Sequence, residues 1–313
     1  SDIRKFPSHQ KKECTVKKQL FALALVTAAG CFLAGCNGIA VITGNGIITE
    51  KTFDPGDISR LTTAGYWKIT LDPNADRNQC TIVIDENLLE ELAIKSGSGR
   101  LQVTPLHNLR PSREPQLRLQ LKQMPEKLNF SGISNLEVTG KITRETEWSF
   151  SGSTTASIPG FAAPEIQLQA SGISRLTLGG NVEKATVRTS GSTEFTFNGN
   201  IGELHLEQSG CSSATIRDCE TARKMTVHSS GSSNFTFSGN LQELFMEQSG
   251  CSNAAVRSCE SAEIQLSGSC TAKLDAARQL TVRAGGASQL LYSGSPELQV
   301  HTSGSAKIKK QKQ

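Results

Sequence analysis

The chain has 313 residues, of which 36% are hydrophobic and 5% aromatic, with a formal net charge of +4. That length admits one large domain or two small ones, and so few aromatics argue against a conventional thick core. The charge is no argument for nucleic acid. Six of the 33 basic and two of the 29 acidic residues lie in residues 1–36, which leaves 27 of each sign beyond, and no basic patch interleaved with aromatics follows.

The chain begins with Ser1, and its first methionine is Met124. Val16-Lys17-Lys18-Gln19 reads as a start at an alternative codon, with residues 1–15 upstream of the translated protein. Residues 17–36 form a targeting segment. Lys17-Lys18 supply a positive start, and Leu20 to Leu33 an apolar stretch too short for an ordinary membrane span. It ends in Leu33-Ala34-Gly35-Cys36, which resembles the lipobox of bacterial lipoproteins, where the cysteine is acylated and becomes the new N-terminus. Ala28-Ala29-Gly30-Cys31 is a poorer second site, and an ordinary secretory signal with an incidental cysteine is the plainer alternative. Lipidation at Cys36 predicts a membrane partner, because two acyl chains anchor stably where one does not. Asn37 stands where an inner-membrane retention signal has aspartate, which favours an outer-membrane lipoprotein facing the periplasm or the outside. Residues 37–60 are then a tether and N-terminal cap.

Next come Asn45-Gly46-Ile47-Ile48-Thr49-Glu50, Phe53-Asp54-Pro55-Gly56-Asp57-Ile58, Tyr66-Trp67-Lys68-Ile69-Thr70-Leu71, and Ile82-Val83-Ile84-Asp85-Glu86-Asn87-Leu88-Leu89. Gly99 to Val103 adds a Gly-x-Leu-x-Val strand. This order resembles the bacterial GIN-domain family, described as the head domain of auto-transporter adhesins or as a domain of unknown function. The resemblance spans about residues 43–310. It implies an exported β-solenoid behind a signal or lipoprotein leader, and the family has no catalytic residues to carry over.

Residues 61–313 are periodic. Gly191-Ser192 with Phe195-Thr196-Phe197 returns forty residues on as Gly231-Ser232 with Phe235-Thr236-Phe237. Glu207-Gln208-Ser209-Gly210-Cys211-Ser212 returns as Glu247-Gln248-Ser249-Gly250-Cys251-Ser252. A shorter period near nineteen runs through Gly132, Gly152, Gly172, Gly191, Gly210, Gly231, Gly250, Gly268, Gly286 and Gly304. Apolar residues stand four and six after the glycine, as Leu176 and Leu178, and six and four before it, as Leu204 and Leu206. Spacing by two is the strand period, and glycine permits a tight corner. One such unit cannot bury its own apolar face, so the repeat predicts an all-β, right-handed parallel β-solenoid of about 19-residue coils. Gly65 and Gly97, with Ile69, Leu71, Leu101 and Val103 at the same offsets, extend it to roughly twelve coils, a rod of about 50–55 Å. Longer intervals there predict insertions near 72–87 and 105–115, which are often where such arrays bind.

Cys14, Cys31 and Cys36 belong to the leader, leaving Cys80, Cys211, Cys219, Cys251, Cys259 and Cys270. An exported chain meets an oxidising compartment. Cys251 and Cys270 lie in neighbouring coils at nearly equal positions and are the pair best placed to bridge. Small buried residues repeated by duplication are the stronger reading. The spacings lack the close Cys-x-x-Cys pairing of a metal site, and no cofactor is expected.

Parallel β-helices also carry polysaccharide lyases and hydrolases, which need converging carboxylates or a metal-binding acidic cluster. Glu203, Glu207, Glu243 and Glu247, with His205 and His228 nearby, are the candidates, but their alternation with Leu204 and Leu206 is that of a solvated strand face. No active site is expected. Polar columns form at two residues before the glycine (Thr189, Gln208, Ser229, Gln248) and nine after it (Asn181, Asn200, Cys219, Asn240, Cys259). In register, such columns bond along the stack; a flat Ser/Thr/Asn/Gln face would instead suit a glycan. The lysines from Lys307 to Lys312 either discourage edge pairing or form a loose tail. The chain is thus expected to be a non-catalytic cell-envelope lipoprotein. It would act as a binding or adhesin-like module toward a surface glycan or protein, with a carbohydrate-active enzyme or a ligand-free scaffold as alternatives.

Overall fold

The structure, a computed structural model, describes residues 41–311. The targeting segment and Cys36 lie outside them. The chain opens with β1 (Val41–Thr43), β2 (Ile48–Phe53), β3 (Arg60–Thr63), β4 (Tyr66–Asp72) and β5 (Gln79–Asp85). A single helical turn, α1 (Glu86–Leu89), leads to β6 (Leu92–Gly97), β7 (Arg100–Pro105), β8 (Asn108–Arg110) and β9 (Gln116–Gln120). Then come the coils: β10 (Lys127–Val138), β11 (Thr146–Ala170), β12 (Ile173–Thr189), β13 (Ser192–Gln208) and β14 (Ser213–Ser229). They continue through β15 (Asn234–Gln248), β16 (Asn253–Leu266), β17 (Thr271–Ala284), β18 (Gln289–Gly294), β19 (Glu297–Thr302) and β20 (Lys307–Lys310).

From β10 onward every pairing is parallel and each coil lies on the next in register. This is the β-solenoid that the nineteen-residue period predicts. The corner glycines stack on one another. Gly191 has φ +74°, and a Cβ there would lie 2.6 Å from the carbonyl oxygen of Gly172 in the coil below. Both the backbone sign and the close approach therefore demand glycine. At several corners the residue two beyond the glycine turns inward and ties the corner shut, although Ser134 and Thr154 at the same position have no partner among the described residues. Thr193 Oγ1 donates to Ser190 O at 2.9 Å, Ser252 Oγ to Ser249 O at 2.7 Å and Ser288 Oγ to Gly285 O at 2.8 Å.

The core explains why the repeat is forty residues long as well as nineteen. Along one inner column Phe195 lies over Ala214, Ala214 over Phe235, and Phe235 over Ala254. The adjoining column runs Phe197, Ile216, Phe237, Val256. All eight side chains are buried. Large over small keeps the volume per pair of coils constant at near-crystalline density. Closer to the N-terminus, Phe130, Trp148 and Phe150 stack with ring centroids 5.4–6.3 Å apart.

The N-terminal edge departs from the expected coil count. Eleven corner glycines, Gly65 and Gly132 to Gly304, form the ladder. Gly97 is not among them; it ends β6 and pairs with Arg100 across an antiparallel hairpin whose turn is Ser98-Gly99. Leu101 and Val103 are buried all the same, because β7 pairs in parallel with β3. The cap accordingly draws on residues well beyond residue 60. β7 and β9 cover the edge of the first coil, and β5 runs antiparallel to β2 and β9. At the other end Lys307–Lys310 form a strand paired with β18, so these lysines are part of the stack and not a loose tail.

Asp85 holds the cap together. Fully buried, its carboxylate accepts from Gly46 N at 2.8 Å, Ser112 N at 2.9 Å and Ser112 Oγ at 2.5 Å. Gly44 passes so close that a Cβ would strike the carboxylate. Burial pushes the Asp85 pKa up, but the hydrogen bonds from Ser112 and Gly46 outweigh it and leave it below the ordinary value. Its stabilisation is therefore present above the unfolded pKa of about 4 and lost as pH falls through the lower folded value.

Two outcomes follow for stability. Ala214→Leu wedges a larger side chain between Phe195 and Phe235 and lowers unfolding free energy by about 1–3 kcal/mol, read from urea melts. Asp85→Asn is less stable than the wild type at pH 7, and the gap narrows on titration toward pH 3, read from the same melts across pH. A gap unchanged with pH would show that the Asp85 charge does not hold the cap.

Candidate binding surface

The expected polar columns divide between the inside and the outside. Thr189, Gln208, Ser229 and Gln248, two before the glycine, are all buried. Ser229 Oγ donates to Gln208 Oε1 at 3.2 Å and Gln208 Nε2 to Asn234 O at 3.3 Å. The Gln208–Ser229 pair braces the interior, while the Thr189 hydroxyl and the Gln248 amide have no partner among the described residues. Thr189, Gln208 and Ser229 also form the floor of an open trough. The column nine after the glycine is broken by register shifts. Asn200 Nδ2 reaches Asn181 Oδ1 at 3.2 Å, but Cys219 is paired with Gly239, not Asn240, and is buried.

One position further out, three before the glycine, the chain forms a column of which the sequence reading singled out only Glu207, His228 and Glu247. In register it runs Gln169, Arg188, Glu207, His228, Glu247, Gln265, Arg283, His301. All eight are planar polar groups, and the two arginines offset the two glutamates. The signal was present in the spacing, since the residues two before and three before the glycine must point to opposite sides of a strand. Beside it, one before the glycine, stand Ser190, Ser209, Ser230 and Ser249, each hydrogen-bonded through its backbone to the preceding coil. Between the two columns lies a trough of about 610 Å³ that runs from Gln169 to Ser249 along the stack.

Of the sequence candidates, Glu207, His228 and Glu247 line this trough, while Glu203, His205 and Glu243 do not. Arg188 grips Glu207 through Nε at 2.9 Å and Nη2 at 3.4 Å, and His205 Nε2 donates to the same carboxylate at 2.9 Å. Hydrogen bonds from Arg188 and then His205 hold the Glu207 pKa below the ordinary value. His228 Nδ1 lies 3.2 Å from Glu247 Oε2. The His205 and His228 rings meet edge to face at 5.7 Å, and His228 leans on Phe245 at the same distance. The outcome is a ledge of three rings beside a line of charged and amide groups. Glu203 takes a hydrogen bond from Arg223, which also binds Glu183.

Other expected features are placed as follows. Asp85, in the insertion at 72–87, is fully buried and bonded to Ser112 of the neighbouring loop, so it is closed to a substrate. Among the described residues, no group of three or more His, Cys, Asp or Glu side chains is set to hold a metal ion. A second depression of about 590 Å³ lies in the cap, walled by Trp67, Leu109, Pro105, Pro111 and Pro115.

The Cys251–Cys270 bridge is not formed; all six described cysteines are free. Cys270 stands two beyond its corner, aligned with Ser252, and donates inward to Ser267 O at 3.0 Å in place of the usual hydroxyl. Cys251 stands one beyond its corner and points outward, so the two thiols leave opposite sides of the chain. Burial pushes the Cys80 and Cys259 thiols up to about 12, whereas Cys211 and Cys251 are exposed.

A stack of parallel coils with an open polar trough and a covered N-terminal edge defines a β-solenoid repeat protein. The profile of a family described as "Putative auto-transporter adhesin, head GIN domain" matches residues 58–223 and 187–296, and the chain belongs to that family. A solved "putative adhesin" from Parabacteroides distasonis is similar over 87% of this chain and 100% of its own, with 17% identity and a TM-score of 0.50. Another from Parabacteroides merdae is similar over 87% and 99%, with 16% identity and a TM-score of 0.47. A "putative lipid binding protein" from Parabacteroides distasonis is similar over 87% and 100%, with 17% identity and a TM-score of 0.45. At such identities the likeness concerns the fold alone. No curated protein matches the chain.

Proposed function

We propose that this chain is a non-catalytic binding module of the cell envelope, anchored through lipid on Cys36, whose trough takes a linear, uncharged glycan. The observation that carries the reading is the eight-coil column of planar polar side chains from Gln169 to His301, flanked by serines. Paired donors and acceptors on rigid planes suit vicinal hydroxyls, and repetition at the coil spacing suits a polymer. The offset of arginine and glutamate charges favours a neutral chain over an anionic one. Membership of an adhesin family and the lipobox-like leader support placement at the envelope.

The rival enzyme reading draws on the same trough. Glu207 and Glu247 stand two coils apart, about 9.6 Å at the strand spacing, near the separation of an inverting carboxylate pair. Release of reducing ends from a bound glycan, lost in Glu207→Gln, would establish it. A binding module releases none.

Two measurements test the proposal. On a glycan array the protein retains a neutral polysaccharide. Arg188→Ala and Glu207→Ala each weaken that binding by about tenfold or more without lowering thermal stability. Retention of no glycan, or unchanged binding in both variants, rejects the trough. Separately, fatty-acid labelling of expressing cells marks the wild type and not Cys36→Ala. Equal labelling of the two would remove the anchor from the proposal.

A further inference from the structure

The outward column one residue beyond the corner forms a ridge along the solenoid. In register it includes Ile173, Ser192, Cys211, Ser232, Cys251, Ser269 and Ala287. Each is exposed, and each follows a glycine, so no long side chain keeps another backbone away. Cys211 and Cys251 are the two exposed thiols among the described residues. They sit two coils apart, about 9.6 Å, too far to bridge within one chain, where Cα atoms must come within about 7 Å.

We propose that this ridge is an interaction surface for a second copy of the chain. The two copies lie antiparallel and are joined by two crossed disulfides, Cys211 to the partner's Cys251 and Cys251 to the partner's Cys211. The thiols fix a two-fold axis at Ser232, midway between them. That axis then dictates every other pairing. Ser192 meets the partner's Ser269, and Ile173 meets the partner's Ala287. Ile173 is 69% exposed, the most exposed large apolar side chain among the described residues. Its counterpart across the axis is the ridge's apolar Ala287; Ile133 and Tyr66, further along the same column, lie beyond the paired coils.

A ridge of small residues buries far less than the roughly 1,000 Å² of a stable interface, so the covalent bonds hold the pair. Each bridge forms by exchange with an oxidised disulfide donor, as the exported compartment supplies. One thiolate opens the donor disulfide, and the partner's thiolate then displaces the donor from the mixed disulfide. Two protein thiols are oxidised, the donor disulfide is reduced to two thiols, and the two protons end on those. The pairing is independent of the glycan reading and rests on the envelope placement proposed above.

The test uses the full chain with oxidised glutathione, non-reducing electrophoresis and peptide mapping. The expected product is a covalent dimer carrying Cys211–Cys251 linked peptides, which dithiothreitol returns to monomer. Cys211→Ser and Cys251→Ser each stay monomeric alone, while a mixture of the two gives a dimer with one bridge. Ile173→Asp forms the dimer severalfold more slowly. A wild type that stays monomeric, links between like cysteines, single variants that dimerise alone, a mixture that does not pair, or an unchanged rate for Ile173→Asp would overturn the proposal.

Discussion

Parallel stacking in register, at about 4.8 Å per coil, is the constraint on which the rest of this molecule depends. It places each side chain directly over its counterpart, so every choice of residue is judged against the coils above and below. At the corners only glycine fits, because the backbone of Gly172 occupies the space that a Cβ on Gly191 would need. In the interior of the duplicated stretch the same spacing sets large over small, and nearer the N-terminus it stacks Phe130 on Phe150. On the surface it sets Arg175 against Glu194 and Arg188 against Glu207, in each case one coil apart. Exposed pairs of this kind contribute little singly; their larger effect is on register, since a slip would set the wrong groups in line.

The N-terminal edge meets a different problem. An open coil end is a template for unwanted pairing, and the strands from β5 to β9 cover it. The glycine and acidic motifs that carry the family resemblance lie here. Gly44 and Gly46 wrap the Asp85 carboxylate, and Asn87 Nδ2 donates to Thr43 O at 2.9 Å. These motifs fasten the lid of the stack, which is why they mark the fold and not a reaction.

The solenoid was legible because glycine and strand periods recur in the text without interruption. The cap was less so. Gly97 has the offsets of a corner glycine, yet its strand returns by a hairpin, a difference in chain direction that spacing does not encode. The corner braces at Thr193, Ser252 and Ser288 were visible as a hydroxyl two beyond the glycine but went unread. Three members of the outer polar column, Glu207, His228 and Glu247, were legible as a solvated strand face, but the whole column was not, and bulges such as that between Ile216 and Cys219 shift one of the uncharged columns inward. The Cys251–Cys270 pairing failed by one residue, which in a strand means the opposite side.

The alternation of Phe195, Ala214, Phe235 and Ala254 also governs how such a rod can lengthen. Removing one coil from this stretch would set phenylalanine against phenylalanine, or alanine against alanine and a void. Removing two restores the original fit. Exchange by pairs of coils keeps this alternation and changes the reach of the rod in steps of about 10 Å, while beyond the duplicated stretch the same column sets Ala254 over Ala272 and Leu176 against Phe195.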